Sequence, residues 1–259
     1  MNLTLTRHMI GAEILKLRRN RGVMGFSLFL TVGIVILFLG IGQLEHASDP
    51  IKNPPAGGMH GFRDGVRAIG LFFGMLAAIL IGSEAGTSDR SSGVFRDLVV
   101  TGRSRLALFA VRLPAAVIVS LIIAAAAYGL LLLGTFVFAG GTPTPSLGLI
   151  LQAAGWLAIA DITVVAFAVG VGSLTGSRAA TLTAVIGWQA IATNILLNIS
   201  FLGHARDALL TAALTQIMPV SGGDRQTVTM AAGVAVIVMI GWVVIASAAG
   251  AWRTQTVDA

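Results

Sequence analysis

A single acidic side chain, Asp161, stands near the middle of an apolar run that carries no other charge from Leu147 to Leu174. A charged side chain at the centre of a bilayer costs roughly 2.5–3.5 kcal/mol on insertion scales. Such a group calls for a partner or a wet cavity, and either makes it a substrate- or proton-sensitive point on a pathway. The structural alternative is a carboxyl bonded to Thr or Gln of a neighbouring helix. Gln189, Asn194 and Asn198 run along the next apolar stretch, the last two one helical turn apart. They are the nearest candidates to bond Asp161, to line a pathway, or to join helices by hydrogen bonds.

The second concentration of chemistry is the polar stretch from Glu84 to Arg112. Arg90, Arg96, Arg103, Arg105 and Arg112 fall in it, balanced only by Glu84, Asp89 and Asp97. Within it Val94, Phe95, Leu98 and Val99 recur at helical spacing, with Arg90, Arg96 and Asp97 around them. An apolar stripe with a charged rim is the pattern of a small protein-docking anchor. The plainer alternative is a solvated basic loop. Other chemistries are excluded by residue type. A phosphate-binding loop needs Gly-Lys-Ser/Thr, and the two lysines, Lys16 and Lys52, follow Leu15 and Ile51. The chain therefore carries no such nucleotide site and is not an enzyme by itself. His8, His46, His60 and His204 lie outside the apolar runs and on both sides of them, so no span offers a histidine base to a serine. They also cannot share a metal, and with no cysteine there is no thiolate site.

These groups are positioned by a chain that is 56% apolar and 11% charged, against roughly 25% charged in soluble domains. Six apolar runs are each long enough to cross a ~30 Å hydrocarbon layer: Val23–Gly42, Val66–Ser83, Pro114–Ala139, Leu147–Leu174, Ala179–Leu202 and Met230–Trp252. The expected fold is an all-α integral membrane domain. Leu3–Arg21 is too charged to span. Its apolar Leu3, Ile10, Ile14 and Leu17 face away from Arg7 and Lys16, as in an amphipathic helix lying at the interface. Pro114 is expected in the first turn of the third span, where no intrahelical donor is lost. The prolines and glycines between Gln43 and Asp64 predict a loop. Six spans put both termini on one side. That side collects twelve Lys and Arg, among them Arg178 and Arg253, against five on the other (Lys52, Arg63, Arg67, Arg206 and Arg225). The bias places the termini and the Glu84–Arg112 loop in the cytoplasm. The net charge of +6 follows from this bias and implies no nucleic acid.

Weaker signals complete the pattern. Gly70-Leu-Phe-Phe-Gly74 is a small-xxx-small signature for close helix approach, with a dimer seam as one place for it. Trp156, Trp188, Trp242 and Trp252 are expected as packing residues or interface anchors. A single tyrosine argues against a sugar-lined channel and favours apolar or amphipathic cargo. Within the 203–229 connection, Asp207–Met218 carries Leu209, Leu210, Ala213 and Ile217 on one side, which predicts a short helix dipping into the outer leaflet. No internal repeat of the inverted-transporter kind is evident.

The order of these parts resembles the permease subunit of ABC-2-type exporters over essentially the whole chain. The amphipathic N-terminal helix, six spans and a partly re-entrant segment before the last span all correspond. The most specific part is the loop: Glu84 at the end of the second span, Ser92-Gly93 opening a short helix, then Gly102-Arg103-Ser104-Arg105. It departs from many relatives at Gly102 (Pro) and Arg112 (Lys). The resemblance implies that Val94–Val100 is a coupling helix docking into a separate ATP-binding subunit, with Glu84, Arg90, Val94, Phe95, Arg96, Asp97, Leu98 and Arg105 at the contact. It implies two copies of that subunit, holding ATP and Mg, and a second permease chain, in a bacterial inner membrane. Cargo would be a drug, antibiotic peptide or lipid moved outward. The alternatives are an ion-coupled transporter using Asp161 and a non-transporting immunity or scaffold protein.

Overall fold

The computed structural model describes residues 3–91, 93, 100, 102, 104–220 and 230–256. Among them every regular element is helical. Helix α1 (Leu3–Arg19) is followed by α2 (Arg21–Ser48), α3 (Gly58–Arg90), α4 (Arg105–Val137), α5 (Leu147–Thr175) and α6 (Arg178–Asn198). A 3-10 segment (Ser200–Ala208), the short α7 (Leu210–Gln216) and α8 (Ala232–Thr256) complete the order. Six of these helices, α2–α6 and α8, are long and apolar enough to cross a membrane. The chain is a multi-pass membrane protein.

The helices outrun the apolar segments that announce them. Helices α3 and α4 each have 33 residues, about 50 Å at 1.5 Å per residue, well beyond a ~30 Å hydrocarbon core. The helix of the second span therefore outlasts the apolar run that ends at Ser83. It continues through Glu84 to Arg90, because backbone hydrogen bonding persists after the side chains turn polar. Likewise α4 begins at Arg105, with Ser104 as its N-cap accepting from Ala107 N. Pro114 consequently lies inside the helix and not in its first turn, so one intrahelical bond is forgone there. The stretch from Gln43 to Asp64 is loop only between α2 and α3. It is pinned by Gly57 N donating to Phe138 O at 3.0 Å and Met59 N to Pro143 O at 2.7 Å.

Helix α5 is the centre of the bundle, buried without a break from Thr163 to Gly170. It is clasped on one side by α3, where Gly82 and Gly86 lie one turn apart. A Cβ on Gly82 would come within 2.7 Å of Ala168 Cβ, and one on Gly86 within 2.7 Å of Val169 O. On the other side α8 approaches through Gly170 and Gly250. Close backbone approach through small residues is the usual means of joining helices in lipid. Gly70 serves the same end inside the chain, since a Cβ there would strike Trp156 at 2.3 Å, whereas one on Gly74 would first meet Ile69 of its own helix. Outward faces of α2 and α8, including Ile36, Leu37, Ile237 and Ile245, are apolar and exposed, as lipid contact requires. Three spans each carry a π-turn: Phe29–Gly33, Ala68–Phe73 and Gly187–Ala192. Between α6 and α8, the helix predicted over Asp207–Met218 is shorter, and its Leu210, Ala212, Ala213 and Leu214 are buried in the bundle. Trp156 Nε1 donates to Leu214 O at 2.9 Å and fixes its depth.

Candidate functional site

The end of the bundle that gathers α1, the α3–α4 connection, the α5–α6 turn and the end of α8 is cross-tied by charge. At its centre is Asp89 on α3, only 4% exposed. Lys16 Nζ of α1 donates to its Oδ1 at 2.6 Å, and Arg112 Nη2 of α4 to its Oδ2 at 2.7 Å. Arg112 is itself 1% exposed, so its charge depends on Asp89. Removing one partner of such a pair leaves a buried charge uncompensated, at about 3–5 kcal/mol. Glu13, one turn from Lys16 on α1, joins the same cation at 2.5 Å. Burial outweighs the Lys16 attraction and pushes the Glu13 carboxyl above its ordinary range. Helix α1 is seated beside this junction by Leu17, which is fully buried in the core of the bundle.

Around the junction the remaining ties bind helix ends. Glu84 accepts from Asn20 Nδ2 at 2.8 Å and faces Arg178 Nη1 at 3.3 Å. Asn20 is also the N-cap of α2, accepting from Val23 N. One carboxylate thus joins the α1–α2 corner to the start of α6. Arg90 donates to Ser173 O at 3.2 Å and Arg253 O at 3.3 Å, and Arg105 to Gln255 O at 3.0 Å. These arginines bind backbone carbonyls near the C-terminal ends of α5 and α8, where the helix dipole favours a cation. Of the residues expected to dock a partner, Glu84, Arg90 and Arg105 are therefore engaged within the chain. Val94, Phe95, Arg96, Asp97 and Leu98 lie outside the described residues. Val100, at the edge of that stretch, is 79% exposed.

Asp161 occupies a second, separate site, at the midpoint of α5. Ser120 Oγ of α4 donates to its Oδ1 at 2.7 Å. Its Oδ2 is buried and has no hydrogen-bond partner. The expected bonds to Gln189, Asn194 and Asn198 are not formed. Gln189 is buried on α6 in the π-turn, both its side-chain polar atoms without a partner. Asn194 and Asn198 are exposed and donate back to Ala190 O and Asn194 O of their own helix. Asp161 was expected to find an amide or hydroxyl on α6 because that span is rich in them. It finds Ser120 because α4 is the helix that packs there. Among the described residues no cluster of His, Asp and Glu suited to a metal occurs.

Compared with known proteins, the sequence matches no family model and no curated protein. The site has to be read from its own geometry. Sequence reasoning missed Lys16 and Arg112 as the partners of Asp89. A signal for one of them was present: Arg112 sits amid apolar residues of α4, and a buried arginine must be paired.

Proposed function

We propose that this chain is the membrane subunit of an ATP-driven exporter of hydrophobic or amphipathic compounds, with its termini in the cytoplasm of a bacterial cell. The observation that carries the reading is the buried Lys16–Asp89–Arg112 junction. Asp89 and Arg112 flank the 92–104 connection on its two sides, and Lys16 ties both to the amphipathic helix. A partner pushing on that connection acts on α3, α4 and α1 together, and α5 follows through its glycine contacts with α3. The arginine-rich sequence and the Val94–Val100 stripe support a protein partner there. The chain's lack of a Gly-Lys-Ser/Thr motif assigns ATP and Mg to that partner, which the resemblance gives in two copies beside a second permease chain.

In this reading Val94, Phe95, Arg96, Asp97 and Leu98 make the contact, and Glu84, Arg90 and Arg105 hold the helix ends that present it. The test is flux of a fluorescent apolar probe in proteoliposomes holding the complex purified from native membranes. Transport requires ATP and is lost in the Phe95→Asp/Leu98→Asp variant. Flux that proceeds without ATP would overturn the proposal. The unpartnered Oδ2 of Asp161 favours a second reading, an ion-coupled transporter. It predicts flux that follows an imposed proton gradient and collapses in Asp161→Asn.

A further inference from the structure

We propose that Asp161 and Ser120 form the polar end of a binding site for a small organic cation, an ammonium group on an apolar body, which enters from the bilayer along the seam between α4 and α5. Identifying that ligand as cargo rests on the exporter reading; its binding does not.

The argument begins with the unmet needs of one carboxyl. Ser120 satisfies Oδ1, while Oδ2 is buried without a partner. No Lys, Arg or His among the described residues pairs with Asp161. The nearest arginine along α4 is Arg112, two turns away and committed to Asp89. The residues that line a cavity with Asp161 are Ile69, Gly70, Gly74 and Met75 from α3 and Ala124, Leu157, Ala160 and Val164 from α4 and α5, all apolar. An ionised Asp161 therefore lacks a donor at Oδ2 and a counter-charge, and a bound ammonium supplies both.

Space leads to it. A cavity of about 10 Å³ adjoins Asp161, about the room of one water or one ammonium head. Two of its walls, Ala124 and Leu157, are shared with a larger groove of about 110 Å³ between α4 and α5. Leu121, Ala125, Ala154, Ala158 and Tyr128 complete that groove. Ala125 is exposed, so the groove opens on the outer face of the bundle. Four alanines, drawn from both helices, leave room between Leu121 and Leu157. The walls accept hydrocarbon, and the only polar atoms at the inner end are acceptors and one hydroxyl. An anion is repelled there, and a neutral alcohol gains no charge compensation. A metal cation needs several oxygen ligands, and Asp161 and Ser120 do not supply a shell.

The test uses the purified chain in lipid nanodiscs and the size-matched series hexylammonium, hexanol and hexanoate, with sodium and potassium chloride as inorganic controls. Thermal unfolding is followed against ligand concentration. The expected result is a saturable rise in Tm with hexylammonium alone. Affinity should fall about tenfold or more in Asp161→Asn, as expected for losing a charged hydrogen bond. Ala158→Met, which leaves the carboxyl in place and fills the groove, should weaken binding as well, and this variant guards against a trivial folding effect at position 161. Equal shifts with hexanol, equal shifts with sodium, or full binding in Asp161→Asn would each overturn the proposal. A chain with no ATP-binding partner would sink the exporter reading and leave this result standing. ATP-driven flux of a cationic probe unaffected by Asp161→Asn would sink cargo recognition alone.

Discussion

Two carboxylates within the bundle are treated in opposite ways. Asp89, near the end of α3, is held by two cations from two other helices. Asp161, at the midpoint of α5, is held by one hydroxyl, with its second oxygen unmet. The first arrangement ties three helices through one carboxylate and makes it a structural joint. The second leaves interaction capacity in reserve, because no group among the described residues bonds its second oxygen. The shared carboxylate marks where the bundle is tied together, and the unmet oxygen marks where something else is to bind.

That contrast breaks most visibly at Asp89. Asp89→Ala should destabilise by about 3–5 kcal/mol by taking the carboxylate away from the buried Arg112, read as loss of monodisperse protein after detergent extraction. A double variant, Asp89→Leu with Arg112→Met, should recover much of that loss, since an apolar pair of similar volume needs no compensation. A smaller effect is expected where α3 meets α5. Gly86→Leu forces a side chain toward Val169 O and the backbone of Gly172, costing about 1–3 kcal/mol as overpacking, read as a lower Tm. Asp161→Asn should change stability by less than about 1 kcal/mol, because the amide keeps the Ser120 bond and removes only an uncompensated group. Equal losses in Asp89→Asn and Asp161→Asn would erase the distinction between the two sites.

The smallest effect concerns Glu13. Its folded-state pKa is raised above the ordinary 4.5, by burial first. The native state therefore binds this proton more tightly than the unfolded chain does. The contribution of Glu13 to stability is greatest below about pH 4.5 and declines as pH rises through the folded value. Glu13→Gln should then equal or exceed the parent in Tm at pH 7, and the difference should vanish at pH 4. A marked loss of Tm at pH 7 would show that the Glu13–Lys16 pair contributes more than burial takes away.

Much of the architecture is legible in the residues, because hydropathy alone locates six spans and the amphipathic helix before them. What hydropathy locates is the membrane, however, and not the helix. Glu84 to Arg90 remain helical after the apolar signal stops, and α4 begins at Arg105 before that signal resumes, which is why Pro114 is internal to α4. The site was legible in kind more than in detail. The cluster of charge between the second and third spans announced itself, but its meaning depended on partners far away in sequence. Lys16 lies 73 residues from Asp89, and no local pattern pairs them. Asp161 announced itself as a lone charge in a span, while Ser120 did not, since a single hydroxyl in a helix usually bonds its own backbone. The Gly82/Gly86 contact was obscured by a sequence with 32 glycines, in which spacing alone singled out Gly70 and Gly74 instead.

The central claim is that the charged end of this bundle is where an ATP-driven partner takes hold, and affinity purification of the tagged chain in mild detergent tests it most directly. Mass spectrometry and an ATPase assay on the eluate should find a stoichiometric ATP-binding subunit, retained in the parent and lost in the Phe95→Asp/Leu98→Asp variant. A homogeneous, folded preparation with no ATP-binding subunit and no ATPase activity would contradict the account.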